Sequence, residues 1–281
     1  MGFAQPGGRN EAGGCSEAGV CSTCLSTQGG PRVIDLPWIT LASTALIVTI
    51  AYAVYGLTGF GAAIIAIPLL AHFYPLRFAV PMMLICDLFA GLLLSLKNRR
   101  QADKRELLRL LPYVLMGMAA GMTLLVQASE RWLLLLLGTF VLGYASWSLL
   151  RKAAPAPVSP GWALPAGVIG GAFTAMYGTG GAIYMIYLAR RLTDKTVLRA
   201  TIGVLIFGTA LVRLALFTGS GFYLQSGLLP LAFALLPCAF LGYLAGSHLH
   251  EKMPPQRAVQ AVWLLLIAGS ISLLWRGLST S

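Results

Sequence analysis

Apolar residues run through this chain in blocks far longer than a soluble helix or strand requires. Residues 36–71 carry no charged side chain, and neither do residues 153–189. Around them lie further apolar runs at 78–96, 110–129, 132–150, 200–217, 226–247 and 258–275. A helix needs about 20 apolar residues to cross the hydrocarbon layer, so each of these runs predicts one membrane span. The two charge-free blocks are too long for a single ordinary crossing, and each predicts a pair of segments. Glycines interrupt both blocks, in GLTGFGAAIIAIPLL at 56–70 and in AMYGTGGAIYMIYLA at 175–189.

These two stretches align at a constant offset. Gly59, Gly61, Ala63, Ile64, Ile67 and Leu69 match Gly178, Gly180, Ala182, Ile183, Ile186 and Leu188, six identities in twelve positions. Glycine lets the backbone turn, and a helix that restarts after the turn exposes unpaired N–H groups. Gly-interrupted segments at corresponding places in two halves point to a transporter binding site. A second match, GMAAG at 117–121 with GYLAG at 242–246, precedes the last span of each half, and this G-x-x-x-G spacing lets helix backbones approach closely in lipid. The fold predicted is an all-α polytopic membrane protein made of two inverted repeats, each with a Gly-broken helix, with about eight to ten transmembrane segments. The expected divisions are a disordered tail at 1–32, a first repeat at 33–152, a Pro-rich linker at 153–161 and a second repeat at 162–276.

Composition agrees with a membrane protein: 57% of the 281 residues are hydrophobic and 10% charged, against about a quarter charged in soluble domains. The net charge of +11 sits between apolar runs, at 97–109, 151–152, 190–199 and 250–257. That placement follows the positive-inside rule and argues against nucleic acid as a partner. With those loops in the cytoplasm, 78–96 runs inward and 200–217 outward, so the halves are inverted. Both termini are then external, provided each broken segment makes an even number of crossings. No apolar stretch follows a basic one in the first 32 residues, so no cleavable signal peptide is expected. The tail holds Cys15, Cys21 and Cys24. One C-x-x-C without a second pair or histidines reads as part of an untethered tail rather than as a redox or metal site.

Candidate chemistry centres on the two glycine clusters. Helices restarting near Gly61 and Gly180 would aim their N-termini at the midplane, where amides and helix dipole favour an anion. The expected substrate-binding residues are Thr58, Gly59, Gly61, Tyr177, Gly178, Thr179, Gly180 and Gly181, with Thr174 as a further hydroxyl. Asp87, mid-span, costs about 2.5–3.5 kcal/mol on insertion scales and so has a partner or a task; proton coupling and a structural carboxyl both remain open. Arg213, four residues from Phe217, is expected to snorkel to the outer interface, with the alternatives that it lines an anion path or pairs with Asp87. His72, His248 and His250 lie at segment ends as interfacial residues, Cys86 and Cys238 read as buried thiols, and Trp132, Trp162, Trp263 and Trp275 as interface anchors. No G-x-S-x-G, H-E-x-x-H or Walker loop is present, so no enzyme activity, metal or cofactor is expected.

GLTGFGAA at 56–63, closed by Pro68, resembles the first signature of the sulfite exporter TauE/SafE family, and AMYGTGGA at 175–182 is similar to its second. The resemblance covers residues 36–275. It implies a transporter or exporter of a small anion, typically sulfite, a sulfonate or a related sulfur compound, in the bacterial inner membrane. Ala62 stands where a further glycine is expected and Tyr187 where the second half often has proline, and both bear on the shape of the cavity. The reading is a secondary transporter working by alternating access around a midplane site, with the small anion and the bilayer as partners, proton coupling through Asp87 and a homodimer as further expectations. Its rivals are a membrane-embedded enzyme or assembly factor using Asp87 and His72, and a passive anion channel.

Overall fold

Two aspartates set where the long helices begin. Asp103 accepts from the amides of Arg105 and Glu106, at 2.8 and 3.2 Å, and Asp194 caps the next basic segment by accepting from Thr196 and Val197. A side-chain oxygen at this position satisfies amides that have no intrahelical partner. The helices therefore start within the basic loops, before the apolar runs at 110 and 200.

The computed structural model describes residues 38–59, 61–150, 158–249, 266–267, 269–275 and 277–278. The cysteine tail, linker residues 153–157, His250 and Trp263 lie outside this set. Within it the order is α1 (Trp38–Thr58), α2 (Ala62–Leu70), α3 (Leu76–Asn98), α4 (Lys104–Gln127), α5 (Glu130–Leu150), α6 (Ala163–Tyr177), α7 (Gly181–Leu188), α8 (Lys195–Gly219) and α9 (Leu228–Leu249). The described residues are helical, with short 3-10 turns and no strand. Five of the helices, α1, α3, α4, α8 and α9, are long and apolar enough to cross a membrane.

Helix pairing follows the small residues. α4 lies along α6, and α1 along α9. A β-carbon at Gly117 or Gly121 would overlap the carbonyls of Val168 and Ala172, and one at Gly242 or Gly246 those of Thr49 and Ala53. Both G-x-x-x-G pairs thus act as close-approach surfaces, each on a helix from the other half of the chain. α3 packs on α8 and α9. The interior is filled by Tyr52, Ile67, Leu70, Met82, Met83 and Phe217 among others, each less than 2% exposed. Trp38, Trp132, Trp162 and Trp275 are all more than half exposed, as residues facing lipid or the interface are.

Polar side chains tie the helix ends. Arg77, at the start of α3, donates to the carbonyls of Leu125, Val126 and Ala128 at the end of α4, at 3.1, 2.8 and 2.8 Å. A cation suits the free carbonyls and negative dipole of a helix C-terminus. At the opposite end of α4, Glu106 is 3% exposed. It accepts from Arg191 Nε and Nη2 at 3.2 and 2.9 Å, from Tyr187 at 2.8 Å and from Arg109. This fastens α4 to α7 and the loop that follows it.

Candidate functional site

α1 ends at Thr58 and α2 starts at Ala62, with Gly59 at φ 82° and Gly61 at φ 96° in the turn between them. α6 ends at Tyr177, and Gly178 follows at φ 73°. An L side chain at such φ values is strained, so these turns depend on glycine. Gly180 has an ordinary helical backbone. Its reason for being glycine is space, since a β-carbon there would overlap Thr174 Oγ1 and the Gly170 carbonyl.

The two turns meet at one cavity of about 30 Å³. Gly61, Ala62 and Ala63 at the start of α2 line it, together with Gly178, Thr179 and Gly181 at the start of α7. Asp87 of α3 and Tyr55 of α1 add polar groups, and Thr174, Tyr184, Ile206 and Thr209 complete the wall.

Of the residues expected from the sequence, Gly61, Gly178, Thr179, Gly181 and Asp87 are brought together here. Gly59, Tyr177 and Gly180 are not among the lining residues. Gly59 lies against the Arg199 side chain, while the Tyr177 hydroxyl donates to the Leu133 carbonyl at 2.8 Å. Thr58 is the last residue of α1, and its side chain lies outside the description. The Thr174 hydroxyl is already engaged, donating to the Gly170 carbonyl at 2.7 Å and lying 3.0 Å from Tyr184 Oη.

Arg213 overturns the expectation of snorkelling. It is 3% exposed, with Nη1 3.6 Å from Asp87 Oδ2 and its guanidinium carbon 5.4 Å from the centroid of the Phe217 ring. The side chain points from α8 toward α3, where an opposite charge waits, and not toward lipid. Tyr52 completes the cluster by donating to Asp87 Oδ1 at 2.7 Å. His72 contacts the Pro68 carbonyl and Ser272, at 3.0 and 2.8 Å, and among the described residues shares no hydrogen-bond partner with Asp87. Cys86 is buried and Cys238 half-buried, both free.

Two lining hydroxyls stand out. Among the described residues Tyr55 Oη and Thr179 Oγ1 find no hydrogen-bond partner, although the residues that carry them are 3% and 2% exposed. An unsatisfied buried hydroxyl costs about 1–3 kcal/mol, so a ligand accepting from both would recover that cost. Sequence reasoning passed over Tyr55, because a tyrosine within an apolar run looks like any core aromatic. It also passed over Glu106, one acid among many basic residues.

The arrangement is a small interior cavity with two turns of glycine, free hydroxyl donors and a charge pair beside it. Residues 44–273 match the family model described as Sulfite exporter TauE/SafE. The chain belongs to that family. It is accordingly a membrane transporter of the TauE/SafE type, a multi-pass protein of the cell membrane whose partners are a small-molecule substrate and lipid. It is 32% identical over 200 residues to the Probable inner membrane transporter protein TsaS of Comamonas testosteroni, an alignment covering 69% of this TauE/SafE chain and 83% of that protein. No solved structure matches.

Proposed function

We propose that this TauE/SafE protein is a secondary transporter that exports a small sulfur oxyanion across the bacterial inner membrane, binding it in the cavity between the starts of α2 and α7. The observation that carries the reading is the convergence of both glycine turns on one cavity with two unpartnered hydroxyls, Tyr55 and Thr179. Helix N-termini and hydroxyl donors suit an oxyanion, and the limited volume suits a compact one. The family description names sulfite, and the relative's name gives the inner membrane.

The two halves, 33–152 and 162–276, act as inverted repeats joined by the linker at 153–161. Support comes from the exchange of partners: α1 of the first half pairs with α9 of the second, as α6 of the second pairs with α4 of the first. Each turn between α1 and α2, or between α6 and α7, acts as the break in a membrane segment. Alternating access then consists of one set of helices rocking around the cavity. The basic cytoplasmic loops concentrate anions at the inner mouth.

The test is flux into proteoliposomes of the purified full chain, comparing sulfite, sulfate, thiosulfate and an organosulfonate, with and without a pH gradient. Saturable movement of a sulfur oxyanion supports the reading. Absence of flux for all four, in protein shown to be folded, refutes it.

A further inference from the structure

The cavity that would hold an anion also holds a carboxylate. Asp87 lines it, and the carboxyl side chain is 12% exposed. The groups facing Asp87 are Tyr52 and Tyr55 from α1, Arg213 from α8, Tyr223 from the turn after α8, Cys86 beside it on α3, and Tyr184 across the cavity from α7. Among them Arg213 alone is cationic, and at 3.6 Å it balances Asp87. A substrate anion entering the cavity therefore meets a carboxylate whose cationic partner is already engaged. Arg199 of α8, which donates to the Gly56 carbonyl at 2.9 Å and acts electrostatically on Tyr55, is the further cation on the α1 side.

An ionised carboxylate offers acceptor positions only, about four on its two oxygens. Tyr52 takes one on Oδ1 and Arg213 faces Oδ2. A bare dianion would place acceptor against acceptor and like charge against like. A monoanion that keeps one O–H avoids both penalties: its hydroxyl donates to Asp87 while its other oxygens accept from Tyr55 and Thr179. Resting on the anion-transport reading of this same cavity, we infer that the site selects the monoprotonated form of a small oxyanion, with one proton shared between the ligand and Asp87. Tyr55, Thr179 and Asp87 are then the specificity-determining residues, two donors and one acceptor. The substrate class narrows to oxyanions that hold a proton near neutral pH, as hydrogen sulfite does. Sulfate, thiosulfate and sulfonates, which are unprotonated there, are excluded. Each anion carries one proton with it, and no bond is made or broken beyond this hydrogen bond.

Two pairs differ in whether a proton is held near neutral pH: sulfite against sulfate, and selenite against selenate. Phosphate against sulfate, four oxygens each, separates proton from volume. In proteoliposomes of the full chain near neutral pH, sulfite and selenite should move at least roughly a hundredfold faster than sulfate and selenate, because a site built around a buried polar group rejects an analogue that cannot pair with it. Asp87→Asn, whose amide can donate, should narrow that gap at least about tenfold. With equal pH on both faces and fixed total sulfite, wild-type flux should fall as pH rises, following the monoanion fraction. This last measurement decides the matter where Asp87→Asn fails to fold. Wild-type flux of sulfate or selenate equal to that of sulfite, an Asp87→Asn protein with undiminished discrimination, or sulfite flux that stays flat or rises with pH would each overturn the inference. Those results would leave the transport reading standing, whereas loss of all sulfur-oxyanion flux in folded wild-type protein would remove both.

Discussion

Arg213→Leu should be among the most destabilising substitutions in the interior, and Asp87→Asn on top of it should restore most of the loss. At the observed 3.6 Å, two unit charges attract by about 4–5 kcal/mol at an effective dielectric of 20. The desolvation of both groups offsets much of that, which is why replacing a whole buried pair is often nearly neutral. Removing one member leaves the other stranded, at about 3–5 kcal/mol. Leucine at 213 therefore strands Asp87, and the double variant removes the stranded charge. Recovery will be incomplete by about 1 kcal/mol, since the guanidinium contact with Phe217 is also lost. The Tyr52 hydroxyl still finds an acceptor in the Asn oxygen. The assay is unfolding in mixed detergent micelles, followed by tryptophan fluorescence and helicity, over the complete double-mutant cycle. A coupling of about 2–4 kcal/mol is expected. A double variant as unstable as Arg213→Leu alone would refute the account, because the cost would then lie in the packing of Arg213 and not in its charge.

Tyr55→Phe and Thr179→Val should each weaken binding of sulfite to the purified protein by about 10-fold while leaving stability unchanged or raised, since neither hydroxyl has a protein partner to lose. Tyr177→Phe should do the reverse, lowering stability by about 1 kcal/mol through loss of the Leu133 bond with affinity unchanged; isothermal titration and micelle unfolding read the two quantities separately. Gly246→Val should separate α1 from α9, because its β-carbon meets the Ala53 carbonyl, and paired cysteines at exposed positions on the two helices should then lose their cross-link yield. Glu106→Ala should free Tyr187 and Arg191 from α4, cost about 1–3 kcal/mol, and speed protease cleavage in the loop after α7.

The length of its apolar runs marked this chain as a helical, multi-pass membrane protein. A run of about 20 apolar residues has few homes other than the bilayer, and the glycine clusters at 59–61 and 178–181 pointed to turns because glycine lets the backbone reverse. The repeated pattern 119 residues later pointed to Gly61, Gly178, Thr179 and Gly181, which the fold places on the lining of one cavity, and also to Gly59 and Gly180, which it does not. The helix starts lay outside that reading: Asp103 and Asp194 cap α4 and α8 within the basic loops, a local signal that the apolar runs obscure.

Tertiary structure decided the partners. Nothing in the sequence around Arg213 tells which face of α8 it occupies relative to α3, and that rotation is the difference between a side chain in lipid headgroups and one beside Asp87. Tyr55 and Tyr177 look alike on paper, each a tyrosine next to a glycine turn, yet one hydroxyl is spent on Leu133 and the other is left over the cavity. Gly178 and Gly180 likewise look interchangeable, but one is needed for its φ and the other for the Thr174 oxygen beside it. Chain order sets what each segment can be, because burial and backbone preference act locally. Which groups meet depends on how the helices cross, and crossing is settled only when every surface has packed at once.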